Sequence, residues 1–432
     1  MSPPDAAAPA AGAHTLGLAE AAAAIAARRL SARDLVEACL ARIGARDPQV
    51  KAFVRLAADL SAQCARVDNE PPRGPLHGVP VAIKDLIDTA DMDTEYGSPV
   101  RRNHRPATDA ACVAKLRAAG AIIIGKTATT EFAHVTPTPT GNPHDLGRTP
   151  GGSSSGSAAA VADHMVPAAL GTQTGGSVIR PASYCGICGF KSSVGRTDVR
   201  GVHELAGSLD TVGWFTRSTR DLALLGRVLL EAPRTPEPPA ARPRIAVCRT
   251  PFDAAAAPEM RKAVDDAAER LRDQGAEILE RALPPSFGDL NQVHRRIVST
   301  EAARAFAAYE AAAPELLSPA LRAFMAEGRA NEALYAQAQA KATARRADLA
   351  PLMRDIDALL VPAATGEAPL GLASTGDATF SLFWSLLAVP CLTLPFAKGP
   401  AGLPLGIQLI GRRDRDEELL ALGEWVAASL SS

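Results

Sequence analysis

Along residues 16–45 apolar positions recur every three or four residues, at Leu16, Leu18, Ala22, Ile25 and Leu30. That period predicts amphipathic helices. Ser31, with Asp34 three residues on, reads as the start of a second helix whose apolar stripe is Leu35, Cys39, Leu40 and Ile43. Beyond the Pro-rich turn at residues 71–75 the pattern changes to short continuous apolar runs. Residues 78–84 form one such run ending at Lys84, and residues 121–126 form another after a helical stretch at 109–119 closed by Gly120. A helix, a glycine and then a short β-branched run predict an α/β arrangement with parallel buried strands. Further strands are expected at 244–248, 276–280, 358–362, 391–395 and 405–410, with helices between most of them. Residues 260–274 and 301–349 are rich in Ala, Arg and Glu and read as helices, the second as an excursion on one side of the sheet. No internal repeat appears. A single α/β domain over residues 15–432 is expected, with residues 1–14 as a disordered Ala/Pro tail and the Pro-rich stretch 231–242 as a surface crossing between two halves.

Composition narrows the partners. The 46 Lys and Arg balance 47 Asp and Glu, so the formal net charge is −1, which gives no electrostatic reason to bind nucleic acid or an anionic membrane. Aromatic residues make up 4% of the 432 residues, too few for a base-stacking platform. The seven cysteines are odd in number and scattered, which is no disulfide framework and fits a reducing, cytoplasmic setting. The first residues lack the cationic start and apolar run of an export signal, and no run of about 18 apolar residues is present to span a membrane.

Candidate chemistry lies in three places: Pro150-Gly-Gly-Ser-Ser-Ser-Gly-Ser157, Gly171-Thr-Gln-Thr-Gly-Gly-Ser177 and Lys84. A serine after two glycines suits a nucleophile, because glycine lets backbone N–H groups approach a substrate oxygen. Thr174, Gly175, Gly176 and Ser177 could supply such an oxyanion hole. The hydroxyl needs a base, and none of the eight histidines sits in an evident catalytic motif. Lysine can serve if burial makes it neutral. A pKa drop of about three units costs about 4 kcal/mol and leaves roughly a quarter of the molecules neutral at pH 7. Val79, Val81 and Ile83 beside Lys84 make that plausible.

Three patterns are decoys. Gly152-Ser-Ser-Ser-Gly156 fits a nucleophile elbow centred on Ser154, but such an elbow needs a histidine near the C-terminal strands, and the histidines after Ser154 end at His294. Residues 120–127 have the spacing of a phosphate loop, but the residues between the glycines are the apolar strand itself. Cys185 and Cys188 mimic half a zinc site with no second pair, and read as a packed loop. No metal or organic cofactor is called for.

Taken together, the upstream Val-x-Ile-Lys-Asp, the Gly-Gly-Ser-Ser and the Gly-Gly-Ser ending at Ser177 resemble the amidase signature family, over residues 16–430. Within that family the chain looks most similar to malonamidases, through residues 87–90, 125–127, 153–161, 171–182 and 373–377. The resemblance implies a central mixed, mostly parallel sheet flanked by helices on both faces. It implies Ser177 as nucleophile, Ser153 as a bridging serine after a cis peptide bond, and Lys84 as base, with an acyl-enzyme on Ser177. Ser154 and Thr172 would lie at the substrate or at the lysine head, and a homodimer is implied as well. Where many members carry Asp and Arg around the nucleophile, this chain has Gln173 and Ile179, and Arg180 stands where a malonamidase reads a free carboxylate. A small, malonamate-like amide is therefore the expected substrate. Two alternatives stay open: the glutaminase-type subunit of a tRNA-dependent amidotransferase, and a hydrolase of a carboxylated urea or biuret. Substrate-lining residues are sought at 92–97, 134–140 and 362–375.

Overall fold

The computed structural model describes residues 12–134, 136–236 and 242–431. Residues 1–11 of the expected tail and residues 237–241 of the expected crossing lie outside the described residues. At the end of the expected tail, Ala13–Thr15 forms a short 3-10 turn with Ala13 buried.

Eleven strands build one sheet: β1 (Phe53–Leu56), β2 (Pro80–Lys84), β3 (Ile122–Thr127), β4 (Ala168–Gln173), β5 (Cys188–Lys191), β6 (Thr211–Thr216), β7 (Arg244–Arg249), β8 (Glu277–Ala282), β9 (Ala358–Pro362), β10 (Cys391–Lys398) and β11 (Pro404–Ile410). Their order is β1-β3-β2-β4-β6-β5-β10-β11-β9-β7-β8. The expected α/β domain with helices around a mixed sheet is present. The parallel share is smaller than expected. Parallel pairing is confined to β3-β2-β4 and β9-β7-β8. The six other pairings are antiparallel. The reason is the middle of the sheet, where β4, β5 and β6 alternate in direction and β10 and β11 form a hairpin.

Local rules explain the elements that were legible. Ser31 caps the helix Ala32–Val50 by accepting the Asp34 N–H at 3.0 Å, and Leu35, Cys39 and Ile43 are buried. Every residue of β2, β3 and β9 is buried, as continuous apolar runs require when helices cover both faces. Each fully buried isoleucine of β3 contributes about 1.5–3 kcal/mol. Residues 120–127 form the β3 strand and its approach, as the structural reading of the phosphate-loop spacing requires. Cys188 belongs to β5 rather than to a loop, with Cys185 ending the helix Ile179–Cys185 before it. The expected helical excursion is the set Leu290–Ala305, Ala307–Ala312, Pro319–Ala330 and Tyr335–Leu352.

Candidate active site

The site forms at the carboxyl ends of the parallel strands β2 and β4, the usual crevice of such sheets. Lys84 is the last residue of β2 and is fully buried. Its Nζ stands 2.7 Å from Ser153 Oγ and 2.7 Å from Thr172 Oγ1. Ser153 follows a cis peptide bond from Gly152, just before the helix Ser155–Ala162. Gly151, at φ 86°, needs to be glycine, since a Cβ there would come 2.7 Å from the Pro181 Cα.

Burial holds the Lys84 ammonium well below the ordinary lysine range, with Asp210 pulling in the other direction. A neutral lysine next to a serine hydroxyl is a proton acceptor. Thr172 and Ser154, expected at the substrate or the lysine head, take different places. Thr172 Oγ1 contacts Lys84, whereas Ser154 is fully buried, donates to Thr172 O at 3.3 Å and accepts from Thr172 N at 3.4 Å. Neither is part of the cavity wall. Ser154 braces the threonine that touches Lys84 and does not reach the lysine itself.

After β4 the chain turns through residues 174–177 into the helix Ile179–Cys185. Among the described residues, the backbone N–H groups of Thr174, Gly175, Gly176 and Ser177 have no hydrogen-bond partner. Four such consecutive donors make an anion nest at the cavity wall. The nest is held from outside. Gln173 Oε1 accepts the N–H groups of Val178 at 2.8 Å and Ile179 at 3.0 Å, and its Nε2 donates to Ser385 Oγ at 3.0 Å. Ser385 Oγ donates to Gly175 O at 2.6 Å. His294 Nε2 donates to Thr174 O at 2.9 Å, and burial lowers its pKa to about 4, so the ring is neutral. Thr174 Oγ1 donates to Asp210, whose carboxyl burial raises to about 6. Gln173 thus braces the loop without a charge, where the wider family pattern has an acid. Asp210, His294 and Ser385 have no local signature in the sequence. They come from a strand start and from helices 120 and 210 residues away in the chain from the loop atoms they bind.

A cavity of about 530 Å³ opens over this loop, lined by Ser153, Thr174, Gly175, Gly176, Ser177 and Arg180, and by residues of the C-terminal half that include Asn291, Arg295, Thr375, Asp377 and Leu382. Of the stretches offered as substrate-lining, His134 and Thr375 reach it among the described residues, while Met92 is buried in the core. Arg180 donates Nη1 to Gly376 O at 3.0 Å, and Nη2 to Gly152 O at 2.6 Å and to Thr375 Oγ1 at 3.1 Å. All three partners are uncharged, and among the described residues no carboxylate lies within ion-pair distance. A guanidinium has five N–H donors, so part of the fork stays uncommitted. A buried cation with no ion pair among the described residues stands at the wall of the cavity, with Asp377 of the same wall as a more distant negative charge.

The comparisons with known proteins agree with this geometry. The profile of the Amidase family matches residues 34–420. A glutamyl-tRNA(Gln) amidotransferase subunit from Roseiflexus sp. (strain RS-1) is 35% identical, over 95% of this chain and 96% of its own. A crystal structure of an amidase superposes with TM-score 0.86 at 34% identity, covering 96% of this chain and 99% of that one. A structure from a vestigial complex that bears on the origins of an s-triazine catabolic enzyme superposes with TM-score 0.88 at 30% identity, covering 96% and 98%. Among the described residues no helix is long and apolar enough to cross a membrane. The chain belongs to the amidase family and is an amide-hydrolysing enzyme.

Proposed function

We propose that the chain cleaves a small carboxamide bearing a free carboxylate, of the malonamate type, through Ser177, Ser153 and Lys84, with Arg180 reading the carboxylate. The observation that carries the catalytic part is the buried Lys84 Nζ, 2.7 Å from Ser153 Oγ and held toward neutrality by burial. Lys84 takes the Ser153 proton as Ser153 takes that of Ser177. The Ser177 Oγ–carbon bond forms, and the oxyanion settles on the N–H groups of residues 174–177. The tetrahedral species then breaks its C–N bond, and the relay returns the proton to nitrogen, releasing ammonia. Water, deprotonated by the same relay, displaces Ser177 and leaves the acid. The unpaired guanidinium of Arg180 at the cavity wall supports the anionic substrate.

The names of the relatives favour a second reading, an ammonia-supplying component of a tRNA-dependent amidotransferase. A carboxylated urea or biuret would make the same demand on Arg180 and stays within the same substrate class. Ammonia release from malonamate and propionamide on one preparation tests the proposal. The two amides are of similar size and differ chiefly in the carboxylate. A kcat/KM ratio of about a hundredfold or more fits a buried charged contact of about 2–5 kcal/mol, and equal rates would remove Arg180 from substrate reading. Ser177→Ala and Lys84→Ala should each abolish turnover with an unchanged melting temperature for the first; substantial residual activity refutes the role concerned.

A further inference from the structure

A second concavity, of about 180 Å³, lies at the far end of the helix Thr379–Leu386. Its polar rim is Arg346, Arg412 and Arg413, and its apolar wall includes Leu349, Met353 and Val389. No carboxylate lines it among the described residues. Arg412 is paired with Glu418 at 3.1 Å, and Arg413 Nε stands 3.7 Å from Asp414. Arg346 has no ion pair among the described residues. Its Nε donates to Leu386 O at 2.9 Å, while its Nη2 is buried without a partner there. Beneath the rim, Lys191 is fully buried, and its Nζ too has no hydrogen-bond partner among the described residues. Burial, and to a smaller degree the charges of Arg346 and Arg413, push the Lys191 ammonium toward its neutral form, against the pull of Cys391 and Asp416. Asp416 itself is committed to Ser193, accepting from its N at 2.7 Å and its Oγ at 2.7 Å. The rim therefore keeps one guanidinium, that of Arg346, without an ion-pair partner among the described residues, beside an apolar wall.

We propose that this concavity is a binding site for a short aliphatic carboxylate, separate from the catalytic cavity. Arginine forks bind carboxylate oxygens two at a time, and the apolar wall takes the hydrocarbon. At about 30 Å³ per water the space matches roughly six waters, the size of a butyrate. An inorganic anion would use the rim and leave the wall empty. The site is joined to the catalytic one by a single helix. Leu387 lines this concavity, and Thr379 and Leu382 line the other. Ser385 of the same helix holds Gly175 O.

Isothermal titration of the whole protein with butyrate and with inorganic phosphate tests the proposal, on wild type, Arg413→Gln, Arg346→Gln and Arg180→Gln. Arg413 is half exposed, with a side-chain accessibility of 49%, so its replacement leaves the fold intact. Arg413→Gln carries the test even where Arg346→Gln, which loses the bond to Leu386 O, fails to fold. The expected result, read in Arg180→Gln so that the catalytic cavity has lost its carboxylate reader, is saturable butyrate binding that is tighter than phosphate and is weakened at least tenfold when Arg413→Gln is added. Absence of saturable binding in Arg180→Gln, or binding there that adding Arg413→Gln leaves undiminished, overturns the proposal. Phosphate binding as tight as butyrate overturns the carboxylate assignment.

Discussion

Lys84 is a strand-end lysine whose neighbours, not its own chemistry, decide its proton. Burial lowers its pKa and the Asp210 carboxylate raises it. Asp210, with its own pKa moved up to about 6, carries that charge chiefly above this value. Replacing Asp210 by Asn removes a negative charge and keeps an acceptor for the Thr174 hydroxyl. Neutral Lys84 then exists at lower pH, so the acid limb of kcat/KM should move to lower pH, with the plateau kept within about tenfold because the loop stays pinned. A limb that stays put, or moves up, would show that Lys84 is not the group titrating there. Glycine-rich context and an apolar run singled out Ser177 and Lys84 in the sequence, whereas the bridging part given to Ser153 came from the family resemblance. Asp210 could not, since nothing within a few residues of it marks a carboxylate aimed at Thr174.

At the scale of elements, the loop of residues 174–177 is a strand end folded back by its own glutamine and held by two helices. Gly176 matters for closeness rather than for an unusual dihedral angle. A Cβ there would meet the Ala378 Cβ at 2.9 Å and the Ser381 Cβ at 3.1 Å. Gly176→Ala should therefore push the nest away from the helix Thr379–Leu386 and misplace its donors. A lost oxyanion donor costs about 10²–10³ in kcat; kcat should fall by about that factor, with KM changed far less, as steady-state rates would show. A drop confined to KM would place the strain in substrate binding instead. The same scale explains the uneven reading of the strands. β2, β3 and β9 stand out as β-branched and leucine runs. β4 is Ala168-Ala-Leu-Gly-Thr-Gln173, whose alanines and glycine favour no strand by themselves. It becomes one because β2 and β6 pair with it on both sides. With β4, β5 and β6 unread, the antiparallel centre of the sheet was unreadable too.

Across the whole molecule, the N-terminal half supplies Lys84, Ser153 and Ser177, and the C-terminal half supplies the cavity wall and the braces on the loop. The charges on that wall bear on the two readings of function. Arg180 has no ion pair among the described residues, and Arg295 is paired with Glu327, at 2.6 Å, which lies outside the cavity wall. His134 and His294 are both held neutral, with pKa values lowered to about 4. Asp377 is the acid in the wall, and its Oδ1 already accepts the N–H and the hydroxyl of Thr379, both at 2.7 Å. A substrate that brings a carboxylate meets a waiting cation. Glutamine brings a carboxylate and an ammonium together, and the ammonium would have to compete with Thr379 for Asp377 beside buried positive charge. The isolated chain should therefore release ammonia from malonamate at least tenfold faster than from glutamine, in kcat/KM measured side by side without any partner present. Asp377→Asn should widen that ratio further, because it removes the negative charge of the wall and costs the zwitterion more than the anion. A preference for glutamine, narrowed by Asp377→Asn, would instead make Asp377 the reader of an α-ammonium and favour the ammonia-supplying role, with activity then expected to depend on a partner.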